Sequence, residues 1–254
     1  MNQDWNAKSY TQAFGFVPQY GQDVMGLLDY DQVRTMLDLG CGNGALTAQF
    51  ADKGLQVIGM DASAAMLERA RQMYPELTFM QADATAFSLP EPVDAVFSNA
   101  VLHWIDEARQ SAALHCIYRA LVPGGQFVFE MGGYGCNRLI HGALAAAFSR
   151  RGRTYRRPQY FPTIGQYTPL LEQAGFKVVY ATLFDRPTRL QGERGLQDWI
   201  CMFVKSAFAG MTADEREAVI AEVAAELRPR MYQQDVWVAD YVRLRVKAVK
   251  PVKE

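Results

Sequence analysis

The stretch best suited to chemistry is a glycine-rich turn, Asp38-Leu39-Gly40-Cys41-Gly42-Asn43-Gly44. An apolar run over 33–37 leads into it, and a helical pattern over 45–50 leaves it. Glycines let the backbone turn sharply and let a ligand approach where a Cβ would clash. The start of a helix also leaves N–H groups without intrahelical partners. Strand, glycine turn and helix in this order predict a site for a nucleotide-like cofactor at the end of a parallel strand.

Three acids fall at the ends of three consecutive predicted strands. Asp38 precedes the first glycine of the turn, Asp61 ends the second strand, and Asp83 follows the third. The carboxyl ends of parallel strands share one edge of a sheet, so the three carboxylates are expected together. This set suits a ligand with a positively charged amine, a ribose and an adenine. A pyrophosphate beside Asp38 would instead meet negative charge.

The spacing of the glycines separates two kinds of cofactor. A dinucleotide fingerprint reads G-x-G-x-x-G, whereas the glycines here are each separated by one residue. Ala62 and Ser63, which follow Asp61, offer no cation for a ribose phosphate. The spacing and Asp38 therefore count against a nicotinamide-dependent oxidoreductase, which stays as an alternative.

The elements that must position these residues alternate between strands and helices. The predicted strands are Thr35–Leu39, Gln56–Asp61, Leu77–Gln81, Ala95–Ser98, Gln126–Glu130, Lys177–Leu183 and one within Val236–Val249. Strand–helix alternation predicts a parallel sheet with helices on both faces. The predicted helices outside the first half are Asn137–Arg150, Gly165–Ala174, Leu196–Phe208 and Ala213–Leu227. The last two lie between two strands, which predicts an insertion over one end of the sheet.

Composition excludes several classes of function. The 254 residues carry a net charge of −1, which gives no general attraction to nucleic acids. The four cysteines form no CxxC pair and no zinc-type cluster, so they are expected to be reduced thiols and no metal is expected. No apolar run has membrane-spanning length, and the N-terminus has no signal-peptide core. We expect a cytoplasmic protein without a membrane segment.

Taken in order, five motifs resemble those of the class I S-adenosylmethionine-dependent methyltransferases. They are LDLGCGNG at 37–44, VIGMDAS at 57–63, QADA at 81–84, FSNAVLHW at 97–104 and LVPGG at 121–125. Within this superfamily the chain resembles the branch of trans-aconitate methyltransferases and related small-acid methyltransferases. Trp5-Asn6 with Tyr10, and Asn99-Ala100 followed by His103-Trp104, carry that likeness.

The resemblance implies S-adenosyl-L-methionine as cofactor and S-adenosyl-L-homocysteine as product. The predicted cofactor-binding residues are Tyr10, Asp38, Gly40, Gly42, Gly44, Asp61, Ala62, Met66, Asp83, Ala84, Asn99 and Ala100. It also implies an N-terminal segment, near Tyr10 and Phe14, that folds over the site.

The predicted fold is a single α/β domain with a Rossmann-like, doubly wound sheet. We expect seven mostly parallel strands, an antiparallel last strand and a helical cap insertion. The expected parts are a lid at 1–30, a cofactor-binding core at 31–135, substrate-side helices with the sixth strand at 136–190, the helical insertion at 191–233 and the last strand at 234–254.

The nucleophile decides whether a base is needed. A carboxylate is already ionised near neutral pH and needs none. A hydroxyl would need one, and His103 is the best-placed candidate, although a residue of the pocket wall is the plainer interpretation.

A run of arginines suggests an anionic substrate. No acid occurs between Glu130 and Glu172, and the stretch contains Arg138, Arg150, Arg151, Arg153, Arg156 and Arg157. Arginine matches carboxylate geometry with a two-pronged donor. Our hypothesis is that one or more of these, or Arg186 or Arg189, orients the substrate; a solvated face is the alternative. The predicted substrate-binding residues are His103, Trp104, Tyr134, Arg156 and Arg157.

The sequence therefore predicts a methyltransferase that acts on a small, anionic molecule, most simply at a carboxylic acid oxygen. An RNA or protein methyltransferase and a non-catalytic module that binds the cofactor stay as alternatives. The chain is expected to be a monomer or a homodimer, and nucleic acid is not an expected partner.

Overall fold

The computed structural model describes residues 23–252 and contains one mixed β-sheet. Its strands are β1 (Thr35–Leu39), β2 (Gln56–Asp61), β3 (Thr78–Gln81), β4 (Val93–Asn99), β5 (Leu121–Gly132), β6 (Lys177–Leu190), β7 (Tyr232–Gln233) and β8 (Val236–Val249). Its principal helices are α1 (Ala45–Ala51), α2 (Ala64–Met73), α3 (Gln110–Ala120), α4 (Arg138–Ser149), α5 (Ile164–Gln173), α6 (Gly195–Phe203) and α7 (Ala213–Met231). Short 3₁₀ turns occur at Tyr30–Gln32, Leu102–Trp104, Glu107–Arg109 and Lys205–Phe208.

The strand order is β3-β2-β1-β4-β5-β8-β6. Strands β1 to β5 are mutually parallel, and β8 runs antiparallel between β5 and β6. This confirms the predicted mostly parallel, Rossmann-like sheet with an antiparallel last strand. The eighth strand, which the sequence did not predict, is β7, a two-residue hairpin partner of β8. Gln234 and Asp235 both adopt positive φ in the hairpin turn, a geometry more common with Asn-Gly.

The order reverses beside β1, because the chain leaves β3 and returns to pair β4 with the other side of β1. Ligands of open α/β sheets bind in the crevice at such a reversal, outside the carboxyl ends of the strands. The glycine turn follows β1, so the topology places it at this crevice.

The sheet buries a hydrophobic core on each face. Met36 and Leu37 are neighbours on β1, yet they belong to different cores because successive side chains of a strand point to opposite faces. Phe50 of α1 and Phe97 of β4 pack edge-on in the first core, with ring centroids 4.9 Å apart. Helices α3 and α5 cover the second core.

A third core lies in what we call the helical cap, formed by α4, α6 and α7. Its centre contains Leu144, Trp199, Val223 and Trp237, all buried. Trp237 belongs to β8, so this core is built directly onto the sheet.

Several predicted boundaries are wrong. Strand β6 continues past Leu183 to Leu190, because its ladder with β8 runs on to Trp237. Pro187 is tolerated there because β6 is an edge strand. The predicted helix over 196–208 is α6 followed by a 3₁₀ turn, and α7 extends beyond 227 to Met231.

Candidate active site

A cavity of about 240 Å³ lies at the crevice, with one end at the carboxyl ends of β1 to β4 and the other under the helical cap. The first end is lined by backbone of the glycine turn and by two acids. The second is lined by aromatic, amide and arginine side chains, namely Trp104, Asn137, Gln159, Phe161, Arg186, Trp199, Phe203, Tyr241 and Arg243.

The glycine turn contributes Gly40, Cys41, Gly42 and Asn43 to the cavity wall, and its glycines adopt left-handed backbone conformations that favour glycine. Gly40, Gly42 and Gly44 adopt φ of 78°, 57° and 81°. The Gly40 and Cys41 N–H groups both donate to the Met60 carbonyl of β2, at 2.6 and 3.0 Å. A Cβ at position 40 would lie 2.1 Å from Cγ2 of Val101, which also lines the cavity. Only glycine therefore fits at position 40 as the structure has it.

Asp61 joins the turn to the end of β2. Its Oδ2 accepts from the Gly42 N–H at 2.9 Å, and its Oδ1 accepts from the Ser63 N–H at 2.8 Å. Burial raises the pKa of Asp61 from its ordinary value, and the two backbone N–H groups oppose that rise. An ionised carboxylate has about four acceptor positions, so Asp61 retains capacity for ligand hydroxyls on the cavity wall.

Asp38 lies beneath the turn and off the cavity wall. It is 2% exposed, and its Oδ2 accepts from the Thr47 hydroxyl at 2.6 Å. Burial raises its pKa to about 7, with the negative charge of Asp61 adding to the effect. Gly44 likewise does not line the cavity; it begins α1 and packs near Phe79.

Asp83 follows β3 on the same rim and has a partner that the sequence did not predict. Arg109 Nη2 lies 3.0 Å from Asp83 Oδ2 and also contacts the Thr85 hydroxyl. Burial by itself would raise the pKa of Asp83, but hydrogen bonds from Thr85 and Arg109 outweigh it and lower that pKa below its ordinary value. Arg109 itself lines the cavity, so a guanidinium stands beside the Asp83 carboxylate on this rim.

The remaining predicted cofactor residues within 23–252 line the same end: Ala62, Met66, Ala84, Asn99 and Ala100. Ala100 adopts a φ of 61° and donates its N–H to the Glu130 carbonyl at 2.8 Å, which turns the chain after β4 toward the cavity. Tyr10 and Phe14 lie outside the described residues.

His103 stands on the cavity wall and is 7% exposed. The Gly132 N–H of β5 donates to its Nδ1 at 3.2 Å. Burial, together with the positive charge of Arg243, holds the pKa of His103 well below its ordinary value. The imidazole is therefore neutral near pH 7.

A cluster of one acid and three arginines borders the cavity. The Glu130 carboxylate is fully buried. Arg186 binds it with both Nη groups at 2.6 and 3.1 Å, Arg243 with Nε at 3.1 Å, and Arg245 with Nε at 2.9 Å. One carboxylate set against three guanidiniums leaves two positive charges uncompensated within the cluster. Arg186 and Arg243 both line the cavity.

Aromatic rings form the wall nearest the cap. Trp104 and Phe203 are stacked with centroids 6.0 Å apart, and Trp199 donates from Nε1 to the Tyr241 hydroxyl at 2.6 Å. Trp199 and Phe203 therefore serve both the core of the cap and the cavity wall.

Three predicted substrate residues lie elsewhere. Tyr134 is 63% exposed, Arg156 and Arg157 are exposed, and none of the three lines the cavity. Arg157 instead donates to the Gln159 carbonyl and lies over the Phe161 ring.

The nearby arginines of the run pair with acids of α7: Arg150 and Arg151 with Glu222, and Arg153 with Glu215.

Sequence reasoning named Arg186 but missed Arg243, Arg245 and Glu130. One feature of the sequence could have indicated them: Arg243 and Arg245 alternate with apolar residues at the strand period of two, which places both arginines on the same face of the strand. Their meeting with Glu130 required the register of β5 on β8, in which Glu130 stands opposite Arg245.

The residues of this cavity fit the predicted cofactor. A backbone cradle that a Cβ would fill lies at one end, beside a half-buried carboxylate suited to ribose hydroxyls. Among residues 23–252 no group of three or more potential metal-ligating side chains is close enough to hold an ion. Nor does that part of the chain contain a helix long and apolar enough to cross a membrane.

Comparison with known proteins identifies the family. Residues 36–125 match a methyltransferase domain model. An uncharacterized methyltransferase of Schizosaccharomyces pombe is 31% identical over 260 residues, which cover 97% of this chain and 98% of that protein. A trans-aconitate 2-methyltransferase of Deinococcus radiodurans is 31% identical over 208 residues, which cover 77% and 78%.

Solved structures share the fold. The phosphoethanolamine N-methyltransferase 2 of Haemonchus contortus, solved with S-adenosylhomocysteine, aligns with a TM-score of 0.61 at 22% identity, over 97% of this chain and 57% of that one. The identity to a methyltransferase over nearly the whole chain, the matched domain model and the glycine cradle all indicate the same family. The chain belongs to the class I S-adenosylmethionine-dependent methyltransferases, with S-adenosylmethionine as its cofactor.

Proposed function

We propose that this methyltransferase transfers a methyl group to a carboxylate oxygen of a small anionic molecule. The observation that carries the proposal is the pair of guanidiniums, Arg186 and Arg243, on the wall of the cavity. They stand under the cap, at the end of the cavity opposite the glycine cradle.

Glu130 holds these arginines in place, and its single negative charge is shared among three guanidiniums. A guanidinium has five N–H donors, and the Glu130 carboxylate engages only Nε of Arg243. The remaining N–H donors of Arg243 can donate hydrogen bonds to an oxygen of a substrate carboxylate. Because the guanidiniums are already held in place, less side-chain entropy is lost when an anion binds.

In the proposed reaction, an oxygen of the ionised acid forms a bond to the methyl carbon while the carbon–sulfur bond breaks and its electron pair remains on sulfur. Gly40, Gly42 and Asp61 would hold the cofactor, while Arg186 and Arg243 would hold the acid. No proton has to be removed, because a carboxylate is ionised near neutral pH. Positioning of this kind can lower a barrier by up to about 7–11 kcal/mol.

Two further observations support a small acid. The part of the cavity under the cap has aromatic walls, which suit a small organic molecule. The relative from Deinococcus radiodurans carries the name trans-aconitate 2-methyltransferase, which places a small tricarboxylic acid among the substrates worth testing first.

The experiment is a screen of small mono-, di- and tricarboxylic acids, phenols and amines with isotope-labelled S-adenosylmethionine, read by product mass. We expect methyl esters, which mild alkali hydrolyses. Products formed only from phenols or amines would overturn the proposal.

A matched pair of variants then tests the arginines. Arg243→Met should lower kcat/KM for the acid about 10- to 100-fold, because hydrogen bonds to charged groups contribute about 1.5–3 kcal/mol. Arg156→Met removes an exposed arginine that does not line the cavity, and it should leave kcat/KM for the acid unchanged. Equal effects of the two substitutions would show that Arg243 does not bind the acid.

A further inference from the structure

We propose that His103 acts on the substrate as a hydrogen-bond donor through Nε2–H, and not as a general base. This inference rests on the proposed function, because it assigns the group that orients the acceptor carboxylate. It concerns the same cavity and the same reaction.

The geometry at Nδ1 decides the tautomer. The donor facing Nδ1 is the backbone N–H of Gly132, at 3.2 Å. A backbone N–H can only donate, so Nδ1 must present its lone pair. A neutral imidazole carries one proton, and that proton is therefore on Nε2.

A ring in this state cannot accept a proton from substrate at low cost. Its single lone pair is already engaged, and protonation at Nδ1 would break the bond from Gly132 inside a buried wall. The nearby guanidinium of Arg243 further disfavours a second positive charge. The chemistry that remains available at this position is donation from Nε2–H.

His103 and Arg243 lie together, which gives the donor a use. Gly132, which holds the imidazole, stands opposite Arg243 in the ladder between β5 and β8. Both side chains line the cavity. A carboxylate has two oxygens, so the Arg243 fork and the His103 donor can hold the oxygen that does not attack while the other faces the methyl group.

The tautomer can be measured without turnover. Nitrogen-15 NMR of protein labelled in histidine separates a protonated ring nitrogen from an unprotonated one, and His103→Gln assigns the signals. We expect at neutral pH a protonated Nε2 and an unprotonated Nδ1 for His103. The exposed His115 provides an internal reference. A protonated Nδ1, or an imidazolium, would overturn the inference.

Two substitutions separate donation from support of the backbone. His103→Gln places an amide N–H near the position of Nε2, whereas His103→Asn places its amide near Nδ1, where it can still accept from Gly132. If Nε2–H orients the acid, Gln should retain kcat/KM within a few-fold and Asn should lose about 10- to 100-fold, the range for a hydrogen bond to a charged group.

The opposite order would indicate a purely structural role, and equal loss in both would indicate a base; either result overturns the inference. The proposed function fails separately, if no acid in the screen is methylated. In that case the NMR measurement still decides the tautomer of His103.

Discussion

At the scale of single residues, the glycine turn is defined by what its neighbours leave no room for. Gly40 faces the Val101 side chain so closely that a Cβ would overlap it. Gly54, in the turn between α1 and β2, has a similar φ of 84° but nothing within 4 Å of the position of a Cβ. The two glycines therefore share a backbone conformation and differ only in their surroundings.

This pair gives a controlled prediction. Gly54→Ala should lower the free energy of unfolding by about 1–2 kcal/mol, the cost of a left-handed conformation for an L-residue. Gly40→Ala should cost more and should also weaken binding of S-adenosylhomocysteine, because the Val101 side chain, which also lines the cavity, would have to shift. Urea unfolding and calorimetric titration measure both quantities. If Gly40→Ala bound the product as tightly as Gly54→Ala does, the turn would not contact the cofactor.

At the scale of elements, three neighbouring strands assemble the charged cluster. Glu130 comes from β5, Arg186 from β6, and Arg243 and Arg245 from β8. The central position of β8 between β5 and β6 makes this convergence possible. The arginines that pair with α7 form exposed ion pairs instead, whose contribution to stability is small.

The contrast between buried and exposed pairs predicts two different outcomes. Glu130→Gln should lower the free energy of unfolding by about 3–5 kcal/mol, because it leaves three guanidiniums without their buried counter-charge. Glu222→Gln removes an acid that pairs with two exposed arginines and should have a much smaller effect. Denaturant titration of both variants at one ionic strength makes the comparison. Similar losses in the two would mean that solvent already screens the Glu130 cluster.

At the scale of the whole molecule, the helical cap shares its core with the sheet. Leu190 of β6 and Trp237 of β8 belong to the same buried cluster as Val223 of α7. We propose that the cap and the sheet form one cooperative unit, consistent with the single domain expected from the sequence.

A single unfolding transition follows from this arrangement. Far-ultraviolet circular dichroism, which reports every helix, should coincide with tryptophan fluorescence, to which the buried Trp199 of the cap and Trp237 of β8 contribute. Val223→Ala should lower the midpoint of that one transition. S-adenosylhomocysteine at about 100 times its Kd should add about 2.7 kcal/mol to the free energy of unfolding. Separate midpoints for the two signals would show that the cap unfolds independently.

The sequence by itself determined the features that depend on neighbours along the chain. The alternation of strands and helices predicted the mostly parallel sheet. The spacing of the glycines, with Asp61 and Asp83, predicted a cofactor site at one rim of that sheet. These features follow from backbone geometry and periodicity, which act over a few residues. The lengths of β6 and α7 were predicted too short. Pairing with β8 extends β6, and packing in the cap extends α7, beyond the point at which the local residue pattern stops.

Only the tertiary structure decided which charged side chains meet at the other end of the cavity. Arg156 and Tyr134 were expected to bind the substrate, yet both side chains are exposed at the surface. Arg243 was not expected at the site, because it lies more than 100 residues from Glu130 in the sequence. Only the fold brings the two side chains into contact. The tautomer of His103 likewise depends on the N–H of a strand 29 residues away. Such contacts depend on strand register and burial, which no local pattern of residues contains.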